Sequence, residues 1–112
     1  MFSTLPYFNR VYHRLKYNCL HFTYEVWQAL TGEDLQKLIT IQLKRSELRN
    51  FIELDKPEEP CLVVFQSRFE SPHIGIWLRG KVFHLCSAGV RHTELKLASY
   101  GFDKVRFVKC RK

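Results

Sequence analysis

The apolar positions of this chain keep a helical rhythm up to about residue 54 and a strand rhythm after residue 61. In the segment Tyr17 to Gly32, Phe22, Val26, Ala29 and Leu30 stand at i, i+4, i+7 and i+8. That spacing predicts an amphipathic helix over residues 18–31. Asn18 is a good N-cap and Gly32 a good stop. Leu35, Leu38, Ile39 and Leu43 predict a second helix over 33–43. A third is predicted over 46–54, with Ser46 as N-cap and Leu48, Phe51 and Ile52 facing inward. Residues 1–17 form an aromatic-rich lead-in, helical in part from Phe8 to Leu15. The run Asp55-Lys56-Pro57-Glu58-Glu59-Pro60, two prolines among four charges, breaks the pattern and marks a surface loop.

Beyond that loop the runs are short and β-rich. Cys61 to Phe65 is an apolar strand. His73 to Leu78 and Lys81 to Cys86 are two strands joined by the tight turn Arg79-Gly80, hence a hairpin. Gly89-Val90 opens a further strand, residues 93–101 suit a short helix or a loop, and Val105 to Val108 is the last strand. In that strand Val105 and Phe107 share one face and Arg106 takes the other. Helices followed by antiparallel strands make an α+β domain, with the N-terminal helices packed on one face of the sheet. At 112 residues the chain has room for one core, so residues 1–112 are read as a single domain.

Composition narrows the function less than it narrows the fold. Hydrophobic residues make up 46% of the chain, as in a folded protein, and no apolar run is long enough to cross a bilayer. The first sixteen residues alternate apolar, aromatic and basic types and lack the pattern of a secretory signal. The expectation is a protein made in the cytoplasm, for which any outside role needs another delivery route. Eighteen Lys and Arg against eleven Asp and Glu give a net charge of +7, which favours polyanionic surroundings. No basic helix stands out, so nucleic acid is not the expected partner.

Cys19, Cys61, Cys86 and Cys110 contain no close pair, and they are read as reduced. The five histidines include no i, i+4 pair on a helix. Neither a metal nor a cofactor is expected.

Chemistry concentrates at Cys19. It opens the helix that follows Asn18, where the partial positive charge of a helix N-terminus favours thiolate. It is therefore placed to be a nucleophile; the alternative is a small buried hydrophobe. A nucleophilic cysteine needs a base and a group that orients the base. His73 and His84 meet this need, because closure of the hairpin at Arg79-Gly80 brings them to the same end of neighbouring strands. Cys61, Cys86 and Cys110 lack a helix terminus and are read as packing.

The order Cys19, then His73-Ile74-Gly75-Ile76-Trp77-Leu78, then Val82-Phe83-His84 resembles the NlpC-type papain-like cysteine peptidases, which cut peptide bonds in bacterial cell walls and include domains carried on phage tails. The resemblance spans residues 7–110 and implies a papain-like minimal core. It also implies Cys19 as nucleophile, His73 as base and His84 as orienting residue. The family further uses a tyrosine ahead of the cysteine to hold the oxyanion. Tyr7 has the closest spacing, with Tyr12 and Tyr17 as competitors. His21, on the helix flank, is read either as a substrate contact or as a surface residue. The chain departs from the family in Leu20-His21 for Ser-Gly, in Pro60-Cys61 for Gly-Asp, and in lacking Gly-Gly before the nucleophile.

What the resemblance implies is a cysteine hydrolase acting on amide bonds: a peptidoglycan stem-peptide endopeptidase of phage or bacterial origin. Virion association and contact with other phage tail proteins are implied with it. Two other readings keep the fold. One is an amidase or deacylase on another acyl or isopeptide substrate. The other is a non-catalytic basic module for phage assembly or nucleic-acid binding.

Overall fold

Asn18 starts the main helix in the way its chemistry dictates. In the computed structural model, which describes residues 2–40, 45–69 and 71–111, its side chain accepts from the backbone N–H groups of Leu20 (3.0 Å) and His21 (3.4 Å). His21 returns the favour, its Nδ1 accepting from the Asn18 N–H at 3.1 Å. The result is a capping box with histidine in the place usually held by Glu or Gln. The helix, α1, runs Cys19–Thr31 and closes at Gly32, whose φ of 82° is the left-handed conformation glycine adopts without steric cost. Its buried side chains are Leu20, Phe22, Thr23, Val26 and Trp27. The buried stripe is therefore rotated from the expected one: Ala29 is exposed, and Trp27 takes the core position.

The next two expected helices are not helices of that length. Residues 33–40 contain a single 3₁₀ turn, Leu35–Lys37, capped by Asp34 through the Gln36 N–H, with Leu35 and Ile39 buried. Leu43 lies outside the described residues, as does the side chain of Leu48. Arg45–Asn50 is 3₁₀, and the chain then straightens into a strand, β1, Phe51–Leu54. Phe51 is buried there and Ile52 is exposed, as strand alternation requires. The lead-in has a 3₁₀ turn at Leu5–Tyr7 and a tight turn closed by a bridge between His13 and Tyr17, in place of a helix from Phe8 to Leu15.

The strands after the proline loop fall where alternation put them. They are β2 (Cys61–Gln66), β3 (His73–Leu78), β4 (Lys81–Cys86), β5 (Gly89–Thr93) and β6 (Lys104–Cys110), with a four-residue helix, α2 (Leu95–Ala98), between the last two. All six strands form one antiparallel sheet in the order β1-β6-β2-β3-β4-β5. The β3–β4 hairpin pairs Leu78 with Lys81 and Trp77 with Val82, around Arg79 and Gly80, both at positive φ. Two successive positive φ values suit the right-handed twist of the flanking strands.

The sheet buries both faces. Ile74, Ile76, Leu78, Phe83 and Leu85 meet α1 on one side, where the Phe22 and Phe83 rings lie 5.2 Å apart. Val63, Phe65 and Val82 meet Trp77, Leu95, Ala98, Phe102, Val105 and Phe107 on the other. The fold is α+β: one antiparallel six-stranded sheet with a helix against it. Among the described residues no helix is long and apolar enough to cross a membrane.

Candidate active site

Strand geometry brings the two histidines together. Continued past Ile76 and Phe83, the β3–β4 register sets Gly75 opposite His84, with His73 diagonal to it on the same face. Their rings meet: His73 Nε2 and His84 Nδ1 are 2.7 Å apart. His84 Nε2 lies 3.2 Å from Thr93 Oγ1 on β5. The three side chains form one hydrogen-bonded row across β3, β4 and β5. In the tautomer with His73 Nε2–H donating to His84, and His84 Nε2–H donating to Thr93, His73 Nδ1 keeps its lone pair. In that tautomer it is the nitrogen left free to accept a proton.

Gly75 makes the meeting possible. A Cβ on residue 75 would lie 2.8 Å from Val82 Cγ1 and 2.9 Å from His84 Cβ. Any side chain there would push β4, and His84 with it, away from β3.

Both rings are desolvated. His73 sits between Phe65 (ring centroids 5.5 Å apart) and Phe102 (6.0 Å, stacked). Burial, and then the neighbouring His84, pull its pKa down to about 3. His84, only 6% exposed, is pulled down to about 4 by burial, with the positive charge of Arg91 and His92 adding to it. Both rings are therefore neutral at pH 7, and each is a weaker base than an exposed imidazole. Beyond the pair a cavity of about 470 Å³ opens between Cys86, Ser87, Leu97, Ala98 and Phe102.

Cys19 approaches from the other side of β3. It is the first residue of α1, partly buried against the main core. The backbone amide of Ile74, the residue after His73, favours its thiolate and so opposes the effect of burial. Among the described residues there is no hydrogen bond between the sulfur and either imidazole. The histidine pair is thus assembled on the face of the sheet that carries Phe65 and Phe102, whereas Cys19 packs with α1 against the opposite face; the two histidines and the cysteine line separate cavities.

The expectation of a thiol acidified by the helix terminus is not met. Burial pushes the Cys19 pKa up, against the opposing pull of the amides of Ile74, Leu20 and Cys19 itself. Desolvation of the thiolate outweighs the helix end.

The tyrosines sort themselves by partner. Tyr17 donates its hydroxyl to Glu25 Oε1, and Arg10 holds the same carboxylate through Nε (3.0 Å) and Nη2 (2.7 Å). Tyr7 is stacked on Phe2 at 5.6 Å, with the Arg10 guanidinium 5.3 Å over its ring. Neither lines the space in front of Cys19. Tyr12 does: a cavity of about 170 Å³ is bounded by Tyr12, Arg14, Asn18, Cys19, Ser71 and Pro72. His21 Nδ1 is engaged in the capping box, and its ring stacks with Tyr17 at 6.3 Å.

Spacing along the chain did not single out Tyr12, because the 13–17 turn folds the lead-in back on itself. Thr93 and the backbone of Ile74 were missed as well. The alternation of β5, which points Thr93 to the same side as His84, was the available signal for Thr93. Cys61 is buried, and Cys86 and Cys110 are half-buried; no disulfide joins any of the four cysteines. Among the described residues no group of three or more His, Cys, Asp and Glu could hold a metal ion. No protein-family model, curated protein or solved structure matches the chain.

Proposed function

We propose that the protein is a cysteine hydrolase of amide bonds, built on a papain-like minimal core of the NlpC type. The observation that carries the reading is the 2.7 Å contact from His73 Nε2 to His84 Nδ1, on a strand against which the helix begun by Cys19 is packed. His84 holds His73 by Nε2 and leaves Nδ1 as the nitrogen for the thiol.

In the reaction the Cys19 sulfur attacks the carbonyl carbon as its proton passes to His73 Nδ1. The resting state is thiol and neutral imidazole, so proton transfer accompanies attack. The Cys19 N–H and the hydroxyl of Tyr12, which lines the same cavity and has no hydrogen-bond partner among the described residues, are the donors for the oxyanion in this reading. Collapse expels the amine, which takes the proton back from His73. Water, deprotonated by His73, then cleaves the thioester.

The substrate that fits best with the resemblance of Cys19, His73 and His84 to the cell-wall peptidases is a peptidoglycan stem peptide, cut as an endopeptidase. A phage-tail or cell-wall setting goes with it. One observation favours a second reading, a deacylase: the 470 Å³ cavity beyond the histidines has Leu97, Ala98 and Phe102 in its wall and could seat an acyl chain.

Purified peptidoglycan and acylated peptides, incubated with the protein and read by mass spectrometry, separate the two. New amino and carboxyl ends in stem peptides, lost in Cys19→Ala with an unchanged melting curve, support the endopeptidase. Release of fatty acid alone supports the deacylase. Activity in Cys19→Ala within about tenfold of the parent overturns both, since removing a nucleophile costs far more.

A further inference from the structure

The cavity in front of Cys19 carries a positive charge that the proposed chemistry does not use. Arg14 lines it together with Tyr12, Asn18, Ser71 and Pro72. The arginines elsewhere illustrate the contrast. Arg10 pairs with Glu25, Arg68 with Asp103 and Arg106 with Glu53. Arg91 and Arg111 bond to backbone carbonyls. Among the described residues the Arg14 guanidinium has neither an acid nor a carbonyl.

Its backbone, by contrast, is fixed. His13 and Tyr17 exchange both backbone hydrogen bonds, at 2.8 and 2.9 Å. His13 Nδ1 accepts from the N–H groups of Leu15 (3.2 Å) and Lys16 (3.0 Å). The Arg14 carbonyl accepts from Asn18 Nδ2 at 3.0 Å. The turn that bears Arg14 is therefore tied to the N-cap of the nucleophile's own helix. A guanidinium is a planar fork that matches a carboxylate, and a braced turn lowers the entropy lost when it binds one. At about 30 Å³ per water, a space of about 170 Å³ has room for a carboxylate and the amide beside it.

We propose that Arg14 is the specificity residue of the Cys19 cavity and selects substrates that carry a carboxylate next to the bond attacked. This deepens the hydrolase reading and rests on it for the word substrate, but Arg14 can be tested without turnover. Iodoacetate and iodoacetamide alkylate the same thiol and differ in one negative charge. Their rates at Cys19, followed by peptide mass spectrometry at about pH 8.5 and low salt, are compared with those of N-acetylcysteinamide, a neutral thiol. The ratio of the two rates cancels any general change in thiol reactivity.

The expected result is a ratio favouring iodoacetate at Cys19 by about fivefold over the reference thiol, falling in high salt. It drops to the reference value in Arg14→Gln. Arg49→Gln removes the same charge from the exposed turn before β1 and keeps the preference. A ratio equal to the reference, or one lost equally in both variants, overturns the proposal, the latter because it reports net charge alone. With a hydrolysable carboxylate peptide, Arg14→Gln raises KM by about fivefold with a smaller change in kcat. A Cys19→Ala protein that still hydrolyses would remove the nucleophile reading and leave the alkylation result standing by itself.

Discussion

Gly75 and His84 face each other across β3 and β4 with no room for a Cβ on the glycine: the added atom would stand 2.9 Å from His84 Cβ. The strands at that end of the hairpin are close because residue 75 has no side chain, and the closeness sets the His73–His84 contact. Gly75→Ala should destabilise the protein by about 1–3 kcal/mol, as overpacking in a core does. It should also disrupt the histidine contact. Urea unfolding gives the first, and the imidazole resonances of the two rings give the second. Full stability with unchanged ring resonances would mean that β4 is not held at this distance.

Acid should weaken the fold through the same two rings. Each has a folded-state pKa below the value of about 6.5 for an exposed histidine, near 3 for His73 and near 4 for His84. Between those values the unfolded chain binds more protons than the folded one, so stability falls as pH falls. The effect is absent above about pH 6.5 and sets in below it, with a limit of about 1.4 kcal/mol per pH unit for each ring. Denaturation midpoints at about pH 7 and about pH 5 should show the decline, and His84→Gln should make it shallower. A midpoint that is flat or rises on acidification contradicts the buried neutral pair.

The two tyrosines that flank the start of α1 should respond to removal of the hydroxyl in opposite ways. Tyr12→Phe removes a proposed oxyanion donor and should lower kcat by about 10²-fold, with little change in melting temperature. Tyr17→Phe breaks the hydrogen bond to Glu25 and should cost about 1 kcal/mol of stability, with kcat nearly kept. Steady-state kinetics beside thermal melts decides between them. If Tyr17→Phe is the variant that loses turnover, the oxyanion assignment moves to Tyr17.

Thr93 Oγ1 lies 3.2 Å from the far nitrogen of His84, and in the proposed tautomer it accepts from that nitrogen and leaves His73 Nδ1 bare. Thr93→Val keeps the shape and removes the acceptor. The expected loss in kcat is about tenfold, the low end for a group that acts on a general base at one remove. Thr93→Ser should restore it. The kcat–pH profile should shift in the valine variant and return in the serine one; a packing role alone would move neither profile.

The strands from β2 onward were legible because their information is local. Alternation, the Arg79-Gly80 turn and the flanking polar residues fixed the β3–β4 register, and the register fixed the histidine pair. The segments at 33–43 and 46–54 misled for the same reason turned round. Leu35, Leu38 and Ile39 have a spacing that one 3₁₀ turn satisfies as well as a helix does. Phe51–Leu54 is a strand because β6 offers it an edge, which nothing nearby in sequence reports. At the site, the histidines were set by strand geometry and could be read, whereas the thiol's acidity and the tyrosine depended on burial and on a turn. Helix position alone predicts a lowered thiol pKa; desolvation reversed the sign.

The place of β6 in the sheet has a consequence for the order in which the protein is made. β6 lies between β1 and β2 and pairs with both. A nascent chain that has released residues up to 100 from the ribosome can close the β2–β3–β4–β5 meander, including both imidazoles. Phe51–Leu54 has no strand to join until residues 104–110 emerge. The chemistry-bearing half can thus take shape during synthesis, while the far edge waits for residues 104–110.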